Sequence, residues 1–140
     1  MPVRMEPTSE RLRAVLAARA GVRLAYLFGS AARGALRPTS DVDVAVRFAS
    51  RPRLEDMGAL AADLERTAGR PVDVVDLDCA PPLLLREVVK AGHLLFAASD
   101  DERVAFETAA LARYADTAHL RRVQAEYLHA WAEAHRARAR

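Results

Sequence analysis

Two aspartates separated by one residue stand at the start of an apolar segment in the middle of the chain. Asp41 and Asp43 alternate with valines in a segment that has the composition of a β-strand. Because side chains alternate along a strand, the two carboxylates point to the same face and lie roughly 7 Å apart. Carboxylates this close repel each other unless a cation lies between them. Mg²⁺ is the expected ion, since it binds carboxylate and phosphate oxygens together.

A glycine–serine pair precedes the aspartates by about ten residues. Gly29 and Ser30 directly follow Val22–Phe28, an apolar segment that predicts a buried strand. Ser30 is a favourable helix N-cap, so residues 31–33 are predicted to form a first helical turn with unpaired N–H groups. Such a terminus, next to a glycine without a side chain, binds anions. Arg33, one turn further on, is either a phosphate contact or an ordinary exposed arginine.

Asp73 is a third candidate carboxylate. It lies between valines in Pro71–Leu77, a short segment that predicts another strand. Burying a carboxylate in such a strand is costly unless the group is paired or binds a metal. We therefore expect Asp73 to take a proton from an attacking hydroxyl or to share a second metal ion. Ser40 either caps the loop before the aspartates or helps to hold a phosphate beside the metal. Together these residues predict a site for a metal-bound nucleoside triphosphate.

These residues also carry a resemblance to a known family. Gly-Ser-Ala-Ala-Arg-Gly at 29–34, Ser-Asp-Val-Asp-Val-Ala-Val at 40–46 and Asp73 in a later strand resemble the nucleotidyltransferase fold of the DNA polymerase beta superfamily. In its small size and in these sequence motifs, the chain is similar to the minimal nucleotidyltransferases that serve as antitoxins in HEPN–MNT toxin–antitoxin pairs. The resemblance extends from about residue 22 to residue 96.

The resemblance implies a role for each residue of the motif. By it, Gly29 and Ser30 hold the β and γ phosphates of ATP, Asp41 and Asp43 bind Mg²⁺, and Asp73 is the third catalytic carboxylate. With two metal ions between the three carboxylates, all three aspartates are predicted metal ligands. None of these positions departs from the family pattern, which implies an active enzyme.

The implied activity is transfer of AMP from ATP to a tyrosine hydroxyl of a cognate HEPN ribonuclease toxin, in a hetero-oligomer with that toxin. Two alternatives remain open. One is a nucleotidyltransferase for a small molecule such as an aminoglycoside, although such enzymes usually have a larger second domain. The other is an antitoxin without catalysis that occludes its toxin through the C-terminal helices.

Composition sets limits on the class of protein. The chain has 140 residues, 51% of them hydrophobic, which suffices for the core of one domain. A net charge of +2 provides no global electrostatic reason to expect direct nucleic-acid binding. The single cysteine, Cys79, excludes an internal disulfide. No segment approaches the ~20 apolar residues of a membrane span and none is typical of a signal peptide, so we expect a cytoplasmic protein without membrane contact.

The elements that position these residues alternate between strand and helix. This order predicts an α/β (α+β) fold, in which a small mixed β-sheet is flanked by helices. The predicted helices are Thr8 or Ser9 to Ala20, Leu54–Ala68 and Leu83–Ala91, and His93–Ala97 is a predicted edge strand. Residues 1–98 form the predicted nucleotidyltransferase core. Residues 99–140 form a predicted helical extension for partner binding, with a break near 115–117. Its Tyr114, Tyr127 and Trp131 are expected to be core or helix-packing residues rather than a platform for stacking bases.

Overall fold

The computed structural model describes residues 6–34 and 40–138. These residues form five helices and four strands. The helices are α1 (Glu6–Ala18), α2 (Leu54–Ala68), α3 (Pro82–Ala91), α4 (Asp100–Asp116) and α5 (Ala118–Arg138), and the strands are β1 (Val22–Phe28), β2 (Val42–Phe48), β3 (Val72–Asp76) and β4 (His93–Ala97). In this part of the chain, no helix combines the length and the apolar character that a membrane crossing requires.

The four strands form one mixed sheet in the order β3-β2-β1-β4. β1 is antiparallel to both β2 and β4, whereas β2 and β3 are parallel. The register places Phe28 opposite Asp43, and Asp43 beside Asp73. The end of β1 and the starts of β2 and β3 therefore meet at one end of the sheet, which we call the site end. The start of β1 lies at the opposite end, the far end.

Helices cover both faces of the sheet because its side chains alternate between two apolar clusters. The valines of β2 face α1 and α2, where they pack with leucines such as Leu16 and Leu64. The other face, which includes Tyr26 and Ala45, packs against α3 and α4. This arrangement confirms the predicted small mixed sheet flanked by helices, with β4 as an edge strand.

Most predicted elements agree with the structure to within two residues. α1 begins at Glu6 rather than at Thr8 or Ser9, and α3 begins at Pro82, since proline is well suited to the first turn of a helix. β2 begins at Val42, so Asp41 immediately precedes the strand instead of lying within it. α2 has its predicted bounds, Leu54–Ala68. It is followed by Gly69, whose φ of 70° is the left-handed conformation that favours glycine at this position.

The helical extension has two unlike parts. α4 packs on the sheet through Phe106 and Ala110, and its first turn is capped by the hydroxyl of Ser99, which accepts from the N–H of Glu102. α5 follows the predicted break and is exposed along most of its length. Tyr127 and Trp131, expected to be core or helix-packing residues, are not part of the core, because α1 to α4 already cover both faces of the sheet. The division of the chain at residue 99 stays a prediction.

Candidate active site

Residues 29–34 form a hydrogen-bonded turn at the end of β1. The N–H of Arg33 donates to the carbonyl of Gly29, and the N–H of Gly34 donates to the carbonyl of Ala31, each at 3.3 Å. The predicted helix that would begin after Ser30 is absent among the residues described here, because Gly34 has a φ of 67° and ends the turn after a single winding. The predicted phosphate-binding segment is thus a tight turn instead of a helix N-terminus.

Gly29 lies against the carboxylate of Asp43. A Cβ atom built on Gly29 would lie 2.5 Å from Oδ2 of Asp43, closer than a carbon and an oxygen can approach. The φ of Gly29 is 69°, a conformation that costs energy for other residues. Two independent constraints therefore require glycine here. Because Gly29 has no side chain, the backbone of the turn can lie in direct contact with the site end of the sheet.

Asp43 is the centre of an acidic cluster. Its half-buried side chain belongs to the sheet face that α3 covers, and the parallel register places Asp73 beside it. Burial is the largest cause that raises the pKa of Asp43, followed by the negative charges of Asp73, Asp41 and Glu87. The positive charge of Arg33 acts in the opposite direction. We call Asp41, Asp43, Asp73 and Glu87 the acidic cluster.

The structure brings the three predicted aspartates together, although one argument used for them was wrong. Asp41 and Asp73 are exposed, whereas Asp43 is half-buried. The cost of burying a carboxylate therefore does not apply to Asp73. β3 is an edge strand, so the start of this strand is open to solvent. What distinguishes Asp73 is its position next to Asp43 in the sheet.

Two residues at the site end were missed by sequence reasoning. Glu87 of α3 forms an ion pair with Arg33 at 3.5 Å between Oε1 and Nη1. His93, at the start of β4, donates from Nε2 to the carbonyl of Ala32 at 2.7 Å and thereby fixes the turn to the sheet. The sequence offered no clear signal for Glu87, since it lies between charged neighbours, Arg86 and Lys90, in the same helix. Its position beside Arg33 depends on how α3 packs, which no local pattern reports.

Ser40 lies at the edge of the described residues, since 35–39 fall outside them. Its carbonyl accepts a hydrogen bond from Nη1 of Arg70 at 3.5 Å, which links the segment before β2 to the segment before β3. This contact involves the backbone of Ser40. The predicted phosphate contact through its hydroxyl stays a prediction, as does that of Arg33.

The acidic cluster has the ligand chemistry of a magnesium site. Carboxylate oxygens are the protein ligands that this ion prefers, and a divalent cation would relieve the repulsion that raises the pKa of Asp43. Within residues 6–34 and 40–138, no group of three or more His, Cys, Asp or Glu side chains is already arranged to hold a metal ion. The cluster therefore fits the ion by charge and ligand type, and it is not a preformed cage.

Comparison with known proteins agrees with this geometry. Residues 10–101 match the family described as polymerase beta, nucleotidyltransferase. The chain belongs to this family. The match spans the turn after β1, all of the acidic cluster and β4.

Individual relatives extend the comparison. The chain is 36% identical over 88 residues to the protein adenylyltransferase MntA of Shewanella oneidensis, an alignment that covers 62% of this chain and 63% of MntA. A solved structure described as a toxin–antitoxin with AMP-PNP superposes with a TM-score of 0.76 at 26% identity, covering 86% of this chain and 97% of that one. A structure provisionally described as a minimal nucleotidyltransferase superposes with a TM-score of 0.57 at 35% identity, covering 64% and 94%.

Proposed function

We propose that this chain is a magnesium-dependent protein adenylyltransferase that acts as an antitoxin in the cytoplasm. In this proposal it transfers AMP from ATP to a tyrosine hydroxyl of a HEPN ribonuclease toxin, with which it forms a hetero-oligomer. The observation that carries the proposal is the acidic cluster in contact with the Gly29 turn. The likeness to the protein adenylyltransferase MntA of Shewanella oneidensis supports it, as does the likeness to a toxin–antitoxin structure with AMP-PNP, an ATP analogue.

The three aspartates have distinct roles in the proposal. Asp41 and Asp43 hold Mg²⁺, and Asp73 shares a second ion or accepts the proton of the attacking hydroxyl. When bound, Mg²⁺ neutralises the charge that develops on the transferring phosphate and on the leaving pyrophosphate. The proximity of Asp43 and Asp73 in adjacent strands supports this assignment.

The turn at 29–34 orients the nucleotide. Gly29 and Ser30 hold the β and γ phosphates, and Arg33 and Ser40 add contacts to the phosphate chain. The absence of a side chain at Gly29 leaves room for a phosphate next to Asp43. Glu87, paired with Arg33, keeps the guanidinium near the turn.

The reaction is a substitution at the α phosphorus. The hydroxyl oxygen of the acceptor forms a bond to this phosphorus while the bond to the oxygen that bridges the α and β phosphates breaks. Pyrophosphate leaves, and the hydroxyl proton passes to Asp73 if this carboxylate is the base, or to solvent if Asp73 instead shares a second metal ion. The chain contributes positioning and charge stabilisation more than covalent chemistry.

Intact-mass spectrometry tests the proposal directly. A candidate HEPN toxin is incubated with this protein, ATP and Mg²⁺, and we expect its mass to rise by one or more AMP units. Asp41→Asn should abolish the gain. Asp101→Asn, which removes an exposed carboxylate from the first turn of α4, is the matched control and should retain it.

Two results would contradict the proposal. A mass gain that is equal for wild type and Asp41→Asn would separate the activity from the acidic cluster. Tight binding to the HEPN protein with no mass gain would instead favour an antitoxin that acts by occlusion.

A further inference from the structure

Helix α5 carries a stripe of apolar side chains that the rest of the described chain leaves exposed. We call Leu120, Val123, Tyr127, Leu128 and Trp131 the α5 stripe; their exposed fractions range from 48% to 69%. Spacings of three and four residues place them on one face of the helix. Polar residues such as Arg122 and Glu126 occupy the opposite face. Contiguous apolar surface of this kind marks an interaction site.

The base of α5 is attached firmly to the folded domain. The ring of Tyr114, near the end of α4, contacts two guanidinium groups, that of Arg86 of α3 at 5.0 Å and that of Arg121 of α5 at 3.7 Å from its centroid. Arg121 also donates to the carbonyl of Tyr114 at 2.9 Å and to the hydroxyl of Thr117. These contacts join three helices and define the direction in which α5 leaves the domain.

The path of α4 brings α5 to the site end of the sheet. At the start of β1, Arg23 pairs with Glu102 at 2.7 Å, and halfway along the strand the hydroxyl of Tyr26 donates to Glu107 at 2.9 Å. α4 therefore runs beside β1 towards the acidic cluster. It ends where Tyr114 meets Arg86, the residue before Glu87. A protein bound along α5 would consequently have part of its surface near the acidic cluster.

The extent of the structural likenesses indicates what occupies the stripe. The toxin–antitoxin structure covers 86% of this chain, about 120 residues, so its likeness must extend well into the segment after residue 98. The minimal nucleotidyltransferase covers 64%, about 90 residues, no more than the core contains. The likeness to the toxin–antitoxin structure therefore reaches into the helical extension, whereas the other likeness covers no more residues than the core contains.

We propose that the α5 stripe is the docking surface for the HEPN toxin, which packs an apolar helix face against it. This inference rests on the proposed function, because it assigns the stripe to the protein that carries the acceptor tyrosine. Docking along α5 holds the toxin beside the acidic cluster, so that recognition and catalysis use different parts of the chain. Transfer is then specific for the toxin because few other hydroxyl-bearing molecules are held at that place.

The test compares two pairs of substitutions on opposite faces of α5. The stripe variant combines Tyr127→Ala and Trp131→Ala, and the matched control combines Arg122→Ala and Glu126→Ala. The Kd for the candidate HEPN toxin is measured by calorimetry without ATP, and AMP transfer to it is followed by intact-mass spectrometry. Circular dichroism reports whether α5 remains helical.

We expect the stripe variant to bind the HEPN protein at least about tenfold more weakly, since buried aromatic side chains dominate such interfaces. Its KM for that protein should rise by a similar factor, while kcat at saturation and the affinity for ATP stay within about twofold of wild type. The control should remain within about twofold of wild type in every measurement.

The outcomes separate this inference from the proposed function. Unchanged affinity and transfer in the stripe variant overturn the docking surface alone. Loss of binding in the stripe variant, with no AMP transfer by wild type, supports the docking surface and contradicts the proposed function. A change from dimer to monomer in light scattering, with toxin affinity unchanged, would assign the stripe to a second copy of this chain. Absence of any binding by wild type overturns both.

Discussion

The two ends of the sheet differ in the surroundings of their carboxylates. At the far end, carboxylates are paired with arginines: Arg19 with Asp63 at 2.6 Å and Arg23 with Glu102 at 2.7 Å. At the site end, the acidic cluster gathers four carboxylates, and their mutual repulsion adds to burial in raising the pKa of Asp43. The same small domain thus neutralises charge where it joins its helices and accumulates charge at the candidate active site.

The far end contributes to stability, and the site end contributes to activity. The far-end pairs fix α1 to α2 and α4 to the sheet, at modest energetic gain because their side chains are partly exposed. The acidic cluster costs stability in the absence of a cation, since like charges are held close together. An arrangement that opposes folding and persists is best explained by function. Substitutions at the two ends should therefore divide into effects on activity and effects on stability.

Asp43→Asn should, together with Asp41→Asn, have the largest effect on activity. AMP transfer to the HEPN protein should fall on the order of 1000-fold, because the central charge of the acidic cluster is lost. The midpoint of thermal unfolding should not fall, since the substitution removes repulsion with Asp73 and Asp41. Transfer assays and calorimetry check the two parts. Asp101→Asn should leave both values unchanged, and a variant of Asp43 with normal transfer would refute the comparison of the two ends.

Gly29→Ala should impair both stability and activity. The positive φ and the contact with Asp43 together should cost about 1–3 kcal/mol of the free energy of unfolding, and the KM for ATP should rise. Gly21→Ala at the far end is the control: its φ is 90°, but a Cβ there meets nothing within 4 Å. Denaturant titration should find Gly29→Ala the more destabilised of the two. Equal destabilisation would mean that the contact with Asp43 is of no consequence.

Tyr26→Phe should lower stability without changing the chemistry. The substitution removes the hydrogen bond that the buried hydroxyl donates to Glu107, at a cost of about 1 kcal/mol. AMP transfer should stay at the wild-type level, because the Tyr26 hydroxyl binds Glu107 of α4 and does not belong to the acidic cluster. Tyr127→Phe, which removes an exposed hydroxyl, should leave stability unchanged. A loss of transfer in Tyr26→Phe at full folding would contradict this division.

Alkaline pH should reveal the same hydrogen bond. Burial, and then the interaction with Glu107, raise the pKa of Tyr26 above its ordinary value of 10.0. The unfolded chain therefore loses this proton first, so the stability that Tyr26 contributes is complete below pH 10 and declines as the pH rises above it. Urea unfolding between pH 9 and 11 should show a steeper decline for wild type than for Tyr26→Phe. Parallel curves would exclude this contribution.

Glu102→Gln should have the smallest effect. Breaking the pair with Arg23 should cost about 0.5 kcal/mol, because both side chains are more than one third exposed. The difference from wild type should shrink at high salt, which screens exposed charges. Unfolding at low and high salt concentration measures it, with the neighbouring Asp101→Asn as control. A loss above about 2 kcal/mol would mean that this exposed pair contributes as much to stability as a buried ion pair.

Much of the fold followed from local patterns. The bounds of β1, β4 and α2 are those predicted, because each is an apolar or amphipathic segment that a glycine or a proline interrupts nearby. The alternation along β2 correctly separated its valines from Asp43. Resemblance to the polymerase beta superfamily added the expected fold, which the family match confirms.

Other features could not be read from neighbouring residues. The turn at 29–34 looked like the start of a helix, and the left-handed conformation of Gly34 ends it. Asp73 was correctly chosen as the third carboxylate, but for a burial that it does not have. Tyr127 and Trp131 were predicted to be core or helix-packing residues, and they are exposed, because an amphipathic pattern does not say which surface covers the apolar face.

The strands, the helices and the spacing of Asp41 and Asp43 could be predicted without the structure, because these features depend on residues close together in the chain. The tertiary structure decided that Asp73 lies beside Asp43, that Glu87 reaches Arg33, and that α5 is left uncovered. The physical reason is that strand register, helix packing and burial are settled by the contacts of the whole domain. Segments far apart in sequence compete for the same surfaces, and local preference does not record the result.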